Sequence, residues 1–287
     1  MDNTPVALQK VSGHTLAAID KRLASNPAAI LLEDYCVVVD AGMRPDAARL
    51  FRSALEETSH LPVRFLCVTH YHADHVFGLA PFKDVTLFGS ARVMENMKQS
   101  PDWSPEALAK WKANDPGAGE WLDQVEFILP TLLFENRLDI CNGGKTVEFH
   151  HSGGHTNCSV YGYFPEEAVL FAGDLLFAGK FPYAADDTCD PEAWMATLKT
   201  WLGMDILHVI PGHGPVTDLG EVRTALAFFE SLKENTLLAI KQGRDYHEIQ
   251  IPEVYPVGEK ESGLVENTRK HWFAYYARVS GERILNP

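Results

Sequence analysis

From position 70 the chain reads His-Tyr-His-Ala-Asp-His, so His70, His72, Asp74 and His75 put four potential metal ligands within six positions. Imidazole nitrogens and carboxylate oxygens are donors suited to divalent transition metals. If the backbone stays extended here, His70 and His72 point the same way, because side chains alternate with a period of two. If the chain then turns into a helix, Asp74 and His75 face a second, adjacent point. One short loop can thereby serve two ions. Three later positions have the same character. His155 lies in the glycine-rich segment HSGGHTNCS. Asp174 closes AVLFAGD and is followed by Leu175, Leu176 and Phe177. A carboxylate amid that much apolar sequence is costly unless it is paired or binds a metal. His213 lies in IPGHGPV, between glycines that let the backbone come close. Asp40, at the end of YCVVVD, reads by itself as a turn or helix-cap residue.

Strands and helices must hold these residues in place. Residues 63–68 form an apolar run in which Phe65, Leu66, Cys67 and Val68 follow without polar relief, the pattern of a strand covered on both faces. VALQKV, HTLAAID, AAILLE and YCVVVD fill residues 5–40 with further strands, the last two joined by a Glu33-Asp34 turn. RLDI and KTVEFHH predict a hairpin on Asn142-Gly143-Gly144. CSVYGYF, AVLFAGD and DILHVIP add three more strands. Helical spacing predicts helices over 45–58, 191–202, 218–242 and 264–279. Asp218 and Glu221 resemble a capping box at the start of the third. Residues 90–130, cut by Pro101, Pro105 and Pro116 and carrying Trp103, Trp111 and Trp121, read equally as a packed helical insertion or as the wall of a pocket. Hairpin signals mixed with too few helices for a crossover after each strand argue against a doubly wound parallel sheet. Two sheets face to face with helices outside fit better.

Taken in order, HYHADH, GGHTNCS, FAGDLLF and IPGHGPV resemble the metal motifs of the metallo-β-lactamase superfamily. The resemblance runs over about residues 6–217. It implies an α/β fold, a four-layer αββα sandwich with the metals at one edge of the two sheets. The expected division is residues 1–220 for that domain, with the insertion at about 90–130, and residues 221–287 for C-terminal helices packed on it. Residue by residue, the resemblance implies that His70, His72 and His155 hold one metal and that Asp74, His75 and His213 hold a second. Asp174 would bridge both, and Asp40 would support the site from behind the ligands. Ligand type suits zinc, the default, and allows iron or manganese.

The expected activity is that of a dinuclear metallohydrolase. Two ions ~3.5–4 Å apart can share a hydroxide formed near neutral pH, which attacks a small ester-like carbonyl such as a lactone or thioester. Asp74 would orient the hydroxide proton. β-Lactamases of the superfamily carry Cys or Ser where this chain has Asp174, whereas the glyoxalase II and lactonase branches carry the bridging carboxylate. LLFAGKFPY is similar to a glyoxalase II segment that binds glutathione through residues matching Lys180 and Tyr183, although the basic C-terminal motif of that family has no match from Glu221 onward. Tyr183 is also placed as the oxyanion-assisting tyrosine of lactonases. The alternatives are β-lactamase or phosphodiesterase activity on the same fold, a di-iron redox protein, or a scaffold that kept the fold. Flavodiiron proteins usually carry Glu in place of His72, and scaffold relatives usually lose ligands.

Composition narrows the partners. The chain has 287 residues, 46% hydrophobic and 22% charged, enough to bury a sizeable core in one large domain or two small ones. A formal charge of -14 argues against nucleic acid, whose phosphates need a basic face. Five cysteines with no CxxC pair fit a reducing compartment. Neither a signal-peptide pattern nor an apolar run of ~20 residues is present. The expectation is a cytoplasmic protein acting on a small molecule, without membrane or nucleic-acid partners and compatible with a homo-oligomer.

Overall fold

The structure, a computed structural model, describes residues 4–114 and 116–281. Seven strands form one sheet in chain order: β1 (Leu8–Lys10), β2 (Thr15–Ala18), β3 (Ala28–Leu31), β4 (Cys36–Val39), β5 (Val63–Cys67), β6 (Thr86–Ser90) and β7 (Leu132–Phe134). The strands from β1 to β4 pair antiparallel, and those from β4 to β7 pair parallel. Parallel neighbours need crossovers. The first is α1 (Pro45–Ser59), and the second contains α2 (Ala73–Val76). The third is the insertion, with α3 (Ala91–Gln99), α4 (Pro105–Asn114) and α5 (Gly119–Leu122). The second sheet runs β12-β11-β10-β9-β8. It is built from β8 (Arg137–Asn142), β9 (Lys145–His151), β10 (Val160–Phe164), β11 (Val169–Phe177) and β12 (His208–His213). The positive φ of Gly143 and Gly144 closes the β8–β9 hairpin. α6 (Pro191–Leu202) crosses from β11 to the parallel β12, and α7 (Leu219–Lys241) and α8 (Ser262–Val279) follow.

Period-two alternation divides each central strand between two cores. In β4, Cys36 and Val38 join Phe51 and Leu55 of α1, while Val37 and Val39 share a core with Val147, Phe149 and Phe171 of the other sheet. In β11, Leu170 and Ala172 join Trp194, Phe229 and Trp272 of α6, α7 and α8, while Val169 and Phe171 face the first sheet. Three cores between four layers make the αββα sandwich.

Local departures from the sequence pattern fall near the ligands. β5 is covered on both faces only from Leu66 onward, since Arg64 is exposed and Phe65 half-buried. β12 begins at His208 rather than at Asp205, and Leu207 is 63% exposed. β11 does not end at Asp174 but runs on to Phe177, with its pairing to β12 shifted on both sides of Gly173, whose φ is +51°. That irregularity turns Asp174 out of the regular ladder. Asp218 caps α7 through Gly220 N at 2.6 Å, and no capping box forms, because the Glu221 carboxylate accepts from Gly179 N at 3.1 Å instead.

β12 approaches β11 so closely that a Cβ on Gly212 would lie 1.9 Å from Asp174 Oδ1 and 2.7 Å from the Gly173 carbonyl carbon. Gly212→Ala should therefore cost about 1–3 kcal/mol, the usual penalty of overpacking. Urea denaturation checks it, and wild-type stability would show that the strands can separate freely here.

Candidate metal centre

The end of β5 delivers His70, and the backbone stays extended through His72, which caps α2 at φ -65° and ψ 146°. The short helix then turns Asp74 and His75 to the neighbouring point. The Thr69 carbonyl accepts from Val160 N at 2.9 Å, which ties this loop to the second sheet. His155 comes from the β9–β10 loop, where positive φ at Gly153 and Gly154 lets the chain pass against Trp194. Asp174 comes from β11, and His213 is the last residue of β12. The structure brings these seven residues together as two groups of donors sharing Asp174. One is His70, His72, His155 and Asp174, and the other is Asp74, His75, Asp174 and His213, with the donors of each within 4.8 Å of one another.

Hydrogen bonding fixes which nitrogen of each ring points inward. His72 Nε2 donates to Asp186 at 2.8 Å, and His155 Nδ1 donates to the Tyr183 carbonyl at 2.9 Å. His75 Nδ1 donates to Asp40 Oδ2 at 2.7 Å and His213 Nδ1 to the Ala24 carbonyl at 3.2 Å. Thr69 Oγ1 gives its proton to Asp40, so it accepts from His70 Nδ1 at 3.1 Å. Five imidazole lone pairs are thereby left facing one another and two carboxylates. His72 Nδ1 lies 3.0 Å from His155 Nε2, and Asp174 Oδ2 lies 3.6 Å from His155 Nε2 and 3.8 Å from His70 Nε2. In the second group, Asp174 lies 3.0 Å from His75 Nε2 and 3.2 Å from His213 Nε2, which is 3.2 Å from Asp74. Donors bound to one tetrahedral ion at about 2.0–2.2 Å sit roughly 3.3–3.6 Å apart. His70 Nε2, His75 Nε2 and Asp174 Oδ1 are buried without a hydrogen-bond partner. The arrangement fits a cation at the centre of each group.

Beside the donors lies a cavity of about 570 Å³ reached by His72, Asp74, Asp174 and His213. Its further walls include Tyr71, Phe177, Tyr183, Asp186 and Asp187, with Ser100, Pro101 and Asp102 from the insertion. The insertion thus serves both readings. Ser100, Pro101 and Asp102 line the cavity, whereas Trp103 and Trp111 pack on Phe77, just beyond α2, and Trp121 is buried. Tyr183 is half-buried on the wall, but Lys180 is exposed and does not line the cavity, and neither α7 nor α8 reaches it.

Residues 21–213 match the family model of the metallo-beta-lactamase superfamily. The chain belongs to that superfamily. Its members are generally hydrolases. A linear primary-alkylsulfatase from a Pseudomonas species is 24% identical over 66% of this chain, which spans 42% of that relative's length. The hydroxyacylglutathione hydrolase GloC of Haemophilus influenzae is 27% identical over 69% of this chain and 89% of its own. A metallo-beta-lactamase from Pontibacter korlensis superposes with a TM-score of 0.58 at 18% identity, covering 78% of this chain and 99% of that one, and so shares the metallo-β-lactamase fold.

Two carboxylates support the donors from outside. Asp40, held at a φ of +59°, accepts from Thr69 N and Thr69 Oγ1, both at 2.8 Å, and from His75. It is outside both donor groups. Asp186 is the residue that the sequence reading missed. It is 5% exposed, and its Oδ1 accepts from Thr188 N at 2.8 Å and Thr188 Oγ1 at 2.6 Å while Oδ2 accepts from His72 and the Tyr71 hydroxyl. Burial opposes its charge, but these donors hold its carboxyl well below the usual range. A D-x-T turn is the only local signal, and it does not distinguish Asp186 from a surface turn residue. Asp186→Ala should weaken metal binding by about 10–100-fold at the group containing His72, as loss of such supporting carboxylates does. Stepwise zinc titration should show one site weakened and the other near wild type, and two unchanged sites would count against this role.

The two groups differ electrostatically. Burial and neighbouring imidazoles push His70 down, and burial followed by His72 pushes His155 down to about 4. Burial lowers His75 and His213 as well, but Asp174 and Asp74 outweigh it, raising His75 well above its ordinary value and His213 to about 9. Asp74, which burial pushes up, is pulled down by His75 and His213 to about 2. In metal-free protein, the raised histidines contribute stability that is full below the unfolded value of about 6.5 and is lost as pH rises through about 9. His70 and His155 are neutral in both states above about pH 7.5. The melting temperature of chelated protein should therefore fall between about pH 7.5 and 9, and adding zinc at pH 7.5 should release protons. A flat melting profile with no proton release would contradict these charges.

Proposed function

We propose that this chain is a dinuclear metallohydrolase acting on a small ester-like carbonyl compound, with lactones and thioesters ahead of β-lactams. The observation that carries it is the set of five inward lone pairs around Asp174, each fixed by a hydrogen bond on the far side of its ring. His70, His72 and His155 would hold one ion, Asp74, His75 and His213 the other, and Asp174 both. Such ions lower the pKa of water toward neutrality and polarise a carbonyl. The all-imidazole and carboxylate set suits zinc. A carboxylate at position 174, and a relative named for hydrolysing hydroxyacylglutathione, support acyl transfer to water over β-lactam cleavage.

The remaining roles fall to the chain. Asp74 lines the cavity with its side chain 27% exposed, and its low pKa keeps it ionised, so that it can accept a hydrogen bond from, and orient, the attacking water. Burial and then the charges of Asp186, Asp187 and Asp102 push the Tyr183 hydroxyl up, so it stays protonated and can donate to a developing oxyanion. The partner is a small molecule, which a cavity of this size admits. We place the protein in the cytoplasm, in keeping with five free cysteines. No helix among the described residues is long and apolar enough to cross a membrane.

Protein purified without chelator should carry about two transition-metal ions per chain, and Asp174→Ala should lose them together with turnover. Elemental analysis and a panel of lactone, thioester, phosphodiester and β-lactam substrates decide the matter. Phosphodiester cleavage without carbonyl hydrolysis would overturn the substrate class. Tyr183→Phe should lower kcat roughly 10-fold or more at unchanged metal content. A change confined to KM would make Tyr183 a binding residue instead.

A further inference from the structure

We propose that the cavity selects acyl substrates bearing a positively charged group, with Asp102 and Asp187 as its counter-charges. This rests on the carbonyl-hydrolase reading above. That the cavity is a ligand site follows independently of this wall, since Asp174 lines it, is 5% exposed and leaves Oδ1 without a hydrogen-bond partner. Asp74 and Asp174 belong to the donor groups, where bound ions would offset their charge. Asp102 and Asp187 belong to neither group. They come from different parts of the chain, one from the insertion and one from the loop between β11 and α6, yet both line the cavity. Neither has an ion-pair partner among the described residues, and no lysine or arginine lines the cavity. Tyr71 and Tyr183 add aromatic rings to the same wall.

Carboxylates and aromatic rings together are the chemistry that receives an ammonium group, by charge and by cation–π attraction. The same wall repels an anionic tail. An alkyl sulfate and hydroxyacylglutathione, the named substrates of the two relatives, are anions, so the wall would set this chain apart from both. A neighbouring cavity of about 390 Å³ shares Ala185 and Asp187 and carries Lys270 of α8. An anion long enough to pass Asp187 and reach Lys270 is therefore the rival outcome.

Three thioacetates of similar shape provide the test on the zinc-loaded full chain: acetylthiocholine, its uncharged 3,3-dimethylbutyl isostere, and S-acetyl-3-mercaptopropanoate. We expect kcat/KM to favour the cation over the neutral ester by roughly tenfold, with the anion slowest. In D102N/D187N the ratio of cation to neutral ester should fall to near one. Calorimetry with choline and 3,3-dimethylbutanol should show the same preference and its loss without any turnover. Equal rates for all three esters, a faster anion, or a ratio that survives in D102N/D187N would overturn the inference while leaving the carbonyl-hydrolase reading intact. Failure of the metal-loaded protein to cleave any of the three would overturn both.

Discussion

Five imidazole rings each point one nitrogen at one another and at two carboxylates, and they hold that aim because each ring's other nitrogen is already hydrogen-bonded on the far side. This constraint explains much of the structure around it. The acceptors that orient the rings are Thr69, Asp186, Asp40, and the carbonyls of Tyr183 and Ala24. All but Thr69 lie on segments distant from HYHADH in the chain. The site therefore needs the complete sandwich. A local loop could supply HYHADH, but it could not supply the partners that aim it.

The ligands divide between the layers in a way that makes inter-sheet packing set the site's geometry. His70, His72, Asp74 and His75 follow β5 of the first sheet, while His155, Asp174 and His213 belong to the second. The spacing between these sets depends on the core of Val37, Val39, Phe149, Phe171 and Ile210. The link from Val160 N to the Thr69 carbonyl pins that spacing directly beside the donors. Gly173 and Gly212 complete the fit by letting β11 and β12 approach closely around the Asp174 side chain. Side-chain volume there would have to be accommodated by moving the carboxylate common to both donor groups.

Much of the sandwich was legible because its strands alternate or run apolar and its helices carry clear periodicity. α6 matches its sequence signal at both ends, since Pro191 and the Asp190 cap start it and Gly203 ends it. The strand ends nearest the donors were read less well. β11 continues beyond Asp174 and β12 starts late, because backbone irregularity at Gly173, rather than hydrophobic pattern, decides pairing there. The seven donor candidates stood out by residue type and spacing, and the structure brings them together. Asp186 did not stand out. Its neighbour Asp187 has the same chemistry in the same loop, and only burial separates them, Asp186 being 5% exposed and Asp187 an exposed residue. Burial of a loop residue depends on distant contacts, here Tyr71 and His72, which no local pattern encodes. For the same reason the tryptophans of the insertion could not be assigned. The indoles of Trp103 and Trp111 pack on Phe77 while the smaller Ser100, Pro101 and Asp102 reach the cavity.

Tyr183 joins the donor groups to the cavity wall. Its carbonyl orients His155, which any residue could do with its backbone, while its ring stands 5.7 Å from that of His72 on the cavity wall. The hold on His155 therefore does not depend on the side chain, so long as the backbone path from Phe177 to Asp186 is kept. That path is fixed by the buried Phe181, Pro182 and Ala184 and by the Thr188–Asp186 turn. The wall at Asp102 carries no such double duty. Chemistry and selection are thus separable at Asp102, which stands on the insertion away from every ring acceptor, but not at Asp187, which sits between Asp186 and Thr188 in the loop that orients His72.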